Sequence, residues 1–509
     1  MAGRVRIPVP RALGVDVGSA VNLVAAVLKY LAAAFLLPTL IALGSDEPAW
    51  PFLAAAAVTG GTGFVVERAT RGEQLVGLRE GFLVVALTWL TIPAFGSLPY
   101  LFADEPQLAR PVDAYFEAVS GFTATGATVL TDIEALDSSL LMWRQFTQWL
   151  GGMGIIVLAV AVLPRLRVGG RQLLQSELAG PTEVERLTAT IRETARRLWV
   201  LYVALTLAAI AILTFYGWIG LDDEMDLYQA TAHAFSTLAI GGFSTQEESI
   251  AAFGAATQWT ILLLLVLAGI NFLRLYLVLV RGRFRAVTRD DEFRLYLAFL
   301  AAGSILLLVE LLAGNLADGE QAVREAVFQA VSIMTTAGFA TADYTGWSAL
   351  AELTLLVLMF LGASAGSTGG SIKVIRHLLM FRIIRRELEQ TVHREVIVPV
   401  RLNGAVVDDR ALRGVVTFIV LYMGLFAFGA LGLVVDATRA NVDVESFEAL
   451  GAAAACLGNV GPGFGFAGPY GSYAPFSDLS TVVLTGLMWL GRLEIIPVAV
   501  LLTRGYWRA

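Results

Sequence analysis

The sequence predicts an all-α polytopic membrane protein: an amino-terminal helix hairpin, then four parallel repeats of span, half-length helix and span around a central axis. Three observations carry that expectation. The 509 residues are 57% hydrophobic and only 16% charged, with mean hydropathy +0.70, well outside the soluble norm for charge. About ten apolar runs reach the length a bilayer demands. Four shorter helical runs of about a dozen residues, too short to cross, lie between pairs of longer ones and end in glycine turns.

The amino end carries Arg4, Arg6 and Arg11 before an apolar run at 20–44, and a second run at 50–66 follows almost at once. A secretory signal would be shorter and followed by a cleavage site and a soluble domain. Residues 1–80 are therefore expected to form a hairpin outside the repeats, packed through small residues such as Gly60, Gly61 and Gly63. The first repeat, 81–163, has spans at 81–103 and 139–163 around a half-helix at 111–123. A loop at 164–197 leads to the second repeat, 198–280, with spans at 198–219 and 256–280 and a half-helix at 226–238. The third, 281–380, has a span at 293–315, a half-helix at 321–335 and a long apolar segment at 348–380. After a loop at 381–410, the fourth, 411–509, has spans at 411–435 and 479–503 and a half-helix at 444–457. Two full spans and one re-entrant half return each unit to its starting side, so all four enter in the same orientation, as parallel repeats about the membrane normal.

The turns lie at 120–127, 236–243, 332–339 and 456–463, with marker glycines Gly126, Gly241, Gly338 and Gly461 about 115, 97 and 123 residues apart. A helix that stops in mid-membrane leaves carbonyls without intrahelical partners, so it survives only buried in protein or against a wet cavity. Glycine tolerates positive φ, which lets successive carbonyls turn toward one axis and replace a cation's hydration shell. The negative end of the helix dipole points the same way. Four such turns from one chain make an ion selectivity filter around a central pore.

Charge sets the expected sidedness. Arg68, Arg71, Arg79, Arg165, Arg167, Arg171, Arg186, Arg192, Arg196, Arg197, Arg281, Arg283, Arg285, Arg289, Lys373, Arg376, Arg382, Arg385 and Arg386 fall in one set of connections, cytoplasmic by the positive-inside rule, together with the amino terminus. The other set is acidic, including Asp132, Glu134, Asp137, Asp222, Asp226, Glu247 and Glu248, and the turns lie on that side. An acidic vestibule would concentrate cations; the same charges also serve solubility. Cys456 is the single cysteine, which excludes an intrachain disulfide, and three histidines leave little basis for a histidine metal centre.

Two interruptions bear on permeation. Residues 362–371 hold four glycines and three serines, including Gly362, Gly366, Ser367, Thr368, Gly369 and Gly370; they would break the helix and form either a movable loop under the filter or a close-packing kink. The same stretch contains Gly-x-Ser-x-Gly around Ser364, the spacing of a hydrolase elbow. No histidine is convincingly placed to serve it, and intramembrane serine hydrolysis is a remote alternative. Lys373 follows Ile372 and not Gly, so a phosphate loop fails. Arg492 sits inside the last span, two residues from Glu494; it is either an electrostatic barrier to a cation or a structural partner of a carboxylate or loop carbonyls, and the two roles are compatible. Arg144 and Arg274 lie near enough to the span ends to snorkel. Asn271 suits an interhelical hydrogen bond, and His233 packing behind the filter.

The four turns in register, the Gly-Ser-Thr-Gly-Gly of the third repeat, the Asn-Val-Gly-Pro-Gly of the fourth and the Gly-Arg-Leu-Glu of the last span resemble the Trk/Ktr/HKT superfamily of potassium transporters, most closely its TrkH subunits, over nearly the whole chain. The resemblance implies a filter built by Ala124, Thr125 and Gly126; Ala239, Ile240 and Gly241; Thr336, Ala337 and Gly338; and Asn459, Val460 and Gly461. It implies that 362–371 is the intramembrane gate and that Arg492 lies just beneath the filter. K⁺ would be the transported ion at the filter residues, with no catalytic residue, no covalent cofactor and no nucleic acid. It also implies a homodimer in the lipid bilayer of the cell membrane, one pore per subunit, docked on cytoplasmic TrkA-like nucleotide-binding subunits. No nucleotide motif occurs in this chain, so that regulator would be separate. Only the glycine recurs in all four turns, an asymmetry that predicts K⁺ permeation with measurable Na⁺ or Rb⁺. A carrier that couples a cation to H⁺ or Na⁺ is the alternative.

Overall fold

The computed structural model describes residues 15–72, 77–154 and 191–508. Arg4, Arg6, Arg11, Arg165, Arg167, Arg171, Arg186 and the far end of the first repeat's second span lie outside the described residues.

Helices dominate. Among the described residues, five are long and apolar enough to cross a membrane, six if a bent pair is counted as one span. The amino-terminal pair comprises Val17–Ala34, continued by Leu36–Gly44, against Trp50–Ala69. Close approach explains two of the three glycines in Trp50–Ala69: a Cβ on Gly63 would lie 2.8 Å from the Ala25 carbonyl and one on Gly60 3.3 Å from the Ala32 methyl. Gly61 differs from expectation, since a Cβ there would meet nothing within 4 Å.

The first spans of the four repeats are Leu78–Gly96 with Leu98–Phe102, Ile191–Trp218, Asp291–Ala313 and Asp409–Ala440. The half-length helices are Pro111–Phe122, Leu227–Ala239, Gly319–Thr335 and Ser446–Gly458. They start with helix-initiating chemistry: Pro at the first position of one, Asp226 accepting from the Gln229 amide at 2.7 Å in the next, and a Glu445/Glu448 capping box in the last. Their carboxyl ends are completely buried. Ala449, Ala452, Ala453 and Ala455 are 0% exposed in the fourth.

The second spans depart from continuity. Ala255–Ala268 and Phe272–Leu279 meet at a 108° bend, where Asn271 restarts the chain as an N-cap, accepting from the Leu273 and Arg274 amides at 2.9 and 3.2 Å. The last span runs Asp478–Arg492 and resumes at Ile496–Leu501, with Glu494 and Ile495 between them at φ +56° and +60°. A β-branched residue there is strained by about 1–3 kcal/mol and persists only because its surroundings dictate it. In the third repeat Ala349–Leu361 stops at Gly362 and Val374–Val392 begins after the loop. Hydropathy is blind to such breaks, because apolar residues line both halves. A two-residue β-hairpin, Arg401–Leu402 with Ala405–Val406, caps the arginine-rich side.

Candidate functional site

The four half-helices end in one motif. The amide of Thr125 donates to the Ser120 carbonyl at 2.8 Å, Gly241 to Ser236 at 2.9 Å, Ala337 to Ser332 at 2.8 Å and Val460 to Ala455 at 2.8 Å. The residue before each donor is left-handed: Ala124, Ile240, Thr336 and Asn459, at φ +51°, +55°, +71° and +54°. This is a Schellman cap built four times. One residue further on, a second left-handed position is glycine in every case: Gly126 (φ +87°), Gly242 (+80°), Gly338 (+77°) and Gly461 (+105°).

The second turn therefore stands one residue out of the expected register. Gly242, not Gly241, is equivalent to the other three marker glycines, and the equivalent triplet is Ile240, Gly241 and Gly242, leaving Ala239 as the last residue of its helix. The physical reason is a tertiary contact: Gly241 occupies the middle position, hemmed in by Gln148, whose Nε2 donates to its carbonyl at 2.5 Å and whose Oε1 accepts from the Phe243 amide at 3.1 Å. A signal was present in the letters, because Ser120, Ser236 and Ser332 each precede the structural glycine by the same interval. The Gly-Phe pairs at 242–243 and 338–339 also align.

The turns close into a ring in chain order. A Cβ on Gly126 would overlap the Gly241 carbonyl oxygen, one on Gly242 that of Ala337, and one on Gly338 that of Val460; one on Gly461 would sit 2.6 Å from that of Thr125. Each middle-residue carbonyl thus occupies the space a side chain on its neighbour would need. All four glycines line one open cavity of about 290 Å³, walled on the acidic side by Thr131, Glu247 and Tyr470. Glu247 has Asp132 and Glu134 as neighbours; partial desolvation first, and then those two charges, push its carboxyl above the usual range.

The loop at 362–371 passes directly under the opposite mouth. A Cβ on Gly369 would lie 2.6 Å from the Thr335 carbonyl, and one on Gly370 would overlap that of Gly458. The Gly370 amide donates to Thr336 Oγ1 at 2.7 Å and Thr368 Oγ1 to the Leu238 carbonyl at 3.1 Å. The loop is held from behind by the second repeat's break and the third repeat's first span. Phe272 N donates to Gly366 O at 3.0 Å, Asn271 Nδ2 to Ala365 O at 2.6 Å, and Ala365 N to the buried Glu292 carboxylate at 2.6 Å. Lys373 Nζ donates to the Gly369 carbonyl, and Ser367 Oγ to that of Ser364 at 2.7 Å. Gly362, at φ +63°, turns the chain into the loop.

Arg492 joins this loop to the first repeat. Its guanidinium donates to Thr368 O at 2.9 Å, Gly151 O at 2.8 Å and Gly152 O at 3.2 Å. Glu494 pairs instead with Arg376, which stacks on Phe418 at 3.9 Å. Arg144 does not snorkel: it is 1% exposed, bound to the fully buried Glu117 at 2.8 Å, and stacked on Phe243 at 4.1 Å. Arg274 pairs with Asp290 at 2.7 Å. His233 is fully buried against the second turn. Ser364 is buried with its amide on Gly269 O, while His377 Nε2 lies on Phe360 O and His233 Nε2 on Ser244, so neither ring is arranged for hydrolysis at Ser364.

This arrangement has known counterparts. The family model described as "TrkH: Cation transport protein" matches residues 52–505. The Trk system potassium uptake protein TrkH of Escherichia coli K12 is 38% identical over 444 residues, covering 87% of this chain and 88% of that protein. That of Halomonas elongata is 37% identical over 476 residues, covering 92% and 95%. The crystal structure of the potassium transporter TrkH from Vibrio parahaemolyticus superposes with a TM-score of 0.84 at 34% identity, covering 97% of this chain and all of the other.

Proposed function

The chain belongs to the TrkH family of cation transport proteins, and from that membership we propose that it takes up potassium across the cell membrane through the ring of four turns. The relatives are named as transporters, and no enzymatic step is assigned to the chain. The observation that carries the reading is the closure of the ring: four left-handed glycines, one from each repeat, abut in sequence around one open cavity. Backbone oxygens clustered at the carboxyl ends of four half-helices favour a dehydrated monovalent cation over an anion.

Ala124, Thr125 and Gly126, Ile240, Gly241 and Gly242, Thr336, Ala337 and Gly338, and Asn459, Val460 and Gly461 supply this filter. Gly362 to Ser371 form the gate, and Arg492 steadies it while placing positive charge beneath the filter. The acidic residues at the other mouth raise local cation concentration. A homodimer and a separate cytoplasmic nucleotide-binding subunit remain part of the proposal, on the family resemblance alone. The test is ⁸⁶Rb⁺ and K⁺ uptake into liposomes containing the purified chain. Uptake competed by K⁺ more strongly than by Na⁺ is expected, and it is abolished by Gly338→Val. Uptake that survives this replacement in folded protein would refute the filter. Accumulation that follows an imposed proton or sodium gradient, in place of the K⁺ gradient alone, would identify a coupled carrier.

A further inference from the structure

Aligning the half-helices on their Schellman caps puts Glu117, His233, Gln329 and Ala452 at one equivalent position, three residues before Ser120, Ser236, Ser332 and Ala455. All four are 0% exposed. The three polar ones do the same thing. Each reaches from its helix to a hydroxyl on the arm that leaves the glycine turn: Glu117 accepts from Thr128 Oγ1 at 3.0 Å, His233 Nε2 meets Ser244 Oγ at 2.9 Å, and Gln329 Nε2 donates to Thr341 Oγ1 at 3.5 Å. His233 Nδ1 faces the Gln229 carbonyl at 2.9 Å and so must carry the proton, which leaves Nε2 to accept from the Ser244 hydroxyl. The fourth repeat has no room for a strut, since a Cβ on Gly463 would already lie 3.1 Å from the Ala452 nitrogen. Tyrosine hydroxyls replace it: Tyr473 donates to the Gly461 carbonyl at 2.7 Å and Tyr344 to that of Gly463 at 3.2 Å.

The braces are unequal. Behind the first two turns they merge into one chain, because Arg144 donates Nε to Glu117 at 2.8 Å and Nη1 to the Ser244 carbonyl at 3.3 Å. Ser244 is thereby gripped at its carbonyl by Arg144 and at its hydroxyl by His233. The third turn has a single long amide contact at this position. A backbone filter discriminates between ions by the field and spacing of its oxygens, and these depend on how firmly the arms are held.

We infer that the equivalent positions 117, 233 and 329 are struts that set the width of the filter ring, and that His233 and its receiver Ser244 are positioning residues for discrimination among alkali cations. The inference rests on the proposed filter. It concerns the ratio of ions admitted, not whether ions pass. The test measures ⁸⁶Rb⁺ and ²²Na⁺ uptake, each competed with K⁺, in liposomes holding His233→Ala, His233→Gln, Ser244→Ala and the His233→Ala/Ser244→Ala pair. His233→Ala and Ser244→Ala are expected to lower K⁺ preference over Na⁺ by about two- to tenfold, the scale of one lost hydrogen bond, while total uptake persists. His233→Gln, which installs the residue the third repeat uses, should restore preference to within about twofold, and the pair should be no worse than the poorer single variant. An unchanged ratio in folded Ser244→Ala, or equal loss in His233→Gln and His233→Ala, would overturn the inference. Should His233→Ala fail to fold, Ser244→Ala alone decides. Absence of any cation uptake by the unaltered chain would instead sink the filter itself.

Discussion

Replacing Gly461 with alanine separates the ring's geometry from ordinary glycine effects. At φ +105° a Cβ costs about 1–2 kcal/mol on conformation alone, and the new methyl would lie 2.6 Å from the Thr125 oxygen and 3.1 Å from the Gly126 carbonyl carbon. Ordinary contact begins at 3.4 Å, so the first and fourth turns must part by about 0.8 Å. Neither neighbour is the free end of a flexible side chain, so the displacement falls on the backbone of the proposed filter. Gly282 supplies the control: it is also left-handed, at φ +63°, but a Cβ there meets nothing within 4 Å. Gly282→Ala and Gly461→Ala should both be destabilised by about 1–2 kcal/mol from the backbone term. Only Gly461→Ala should lose ⁸⁶Rb⁺ uptake, by about tenfold or more, as expected when coordinating groups are misplaced by nearly an ångström. Thermal unfolding in detergent and uptake in liposomes, measured on the same preparations, give the two readouts. Equal uptake by both variants, with Gly461→Ala folded, would refute the account of ring closure.

Arg492→Ala removes three hydrogen bonds that tie the loop at 362–371 to the first repeat, together with the charge below the proposed filter; basal uptake should rise about tenfold, and an unchanged rate in folded protein would leave Arg492 a purely structural role. Glu292→Ala deprives the Ala365 amide of its acceptor and should likewise raise basal uptake, whereas Glu292→Gln, which still accepts, should stay close to the parent. Glu247 has its carboxyl held above the usual carboxylate range, so it gains its proton earlier than an ordinary glutamate as pH falls. Uptake at sub-saturating K⁺ should then decline with acidification through a raised KM at nearly constant maximal rate, and Glu247→Gln should abolish that step. The sign for stability is the reverse. A raised carboxylate pKa means the folded chain holds its proton more tightly than the unfolded chain, so ionised Glu247 opposes folding at neutral pH and that penalty disappears in acid. Glu247→Gln should therefore unfold no earlier than the parent at pH 7, and a lower melting temperature would count against the assignment.

The elements carried by short-range physics were legible in the letters. Apolar run length marked the spans, and glycine after a short helix marked the turns at 126, 338 and 461, because both follow from hydration and local sterics. The second turn needed more than the glycine itself: in a Gly241-Gly242 pair either residue can take positive φ, and the letters pick Gly242 only through the serine six positions earlier that it shares with Gly126 and Gly338, while Gln148, 93 residues away in sequence, holds the Gly241 carbonyl. Arg144 looks like a snorkelling side chain until Glu117 and Phe243 are brought beside it. The break after Ala268 is hidden inside apolar sequence, since the Gly269 carbonyl freed there accepts from the Ser364 amide of the loop at 362–371.

By itself the sequence determined that this chain is a multi-pass membrane protein, that it carries four short helices running into glycine turns, and that its arginines and its acids fall in alternate sets of connections. All three depend on the transfer of side chains from water and on backbone freedom within a few residues. Only the tertiary structure decided that Gly461 closes on Thr125 and that Arg492 reaches Gly151 and Thr368. Those pairings join residues more than a hundred positions apart, and which of several possible partners a buried carbonyl or guanidinium meets is set by packing of the whole bundle, about which local propensity is silent.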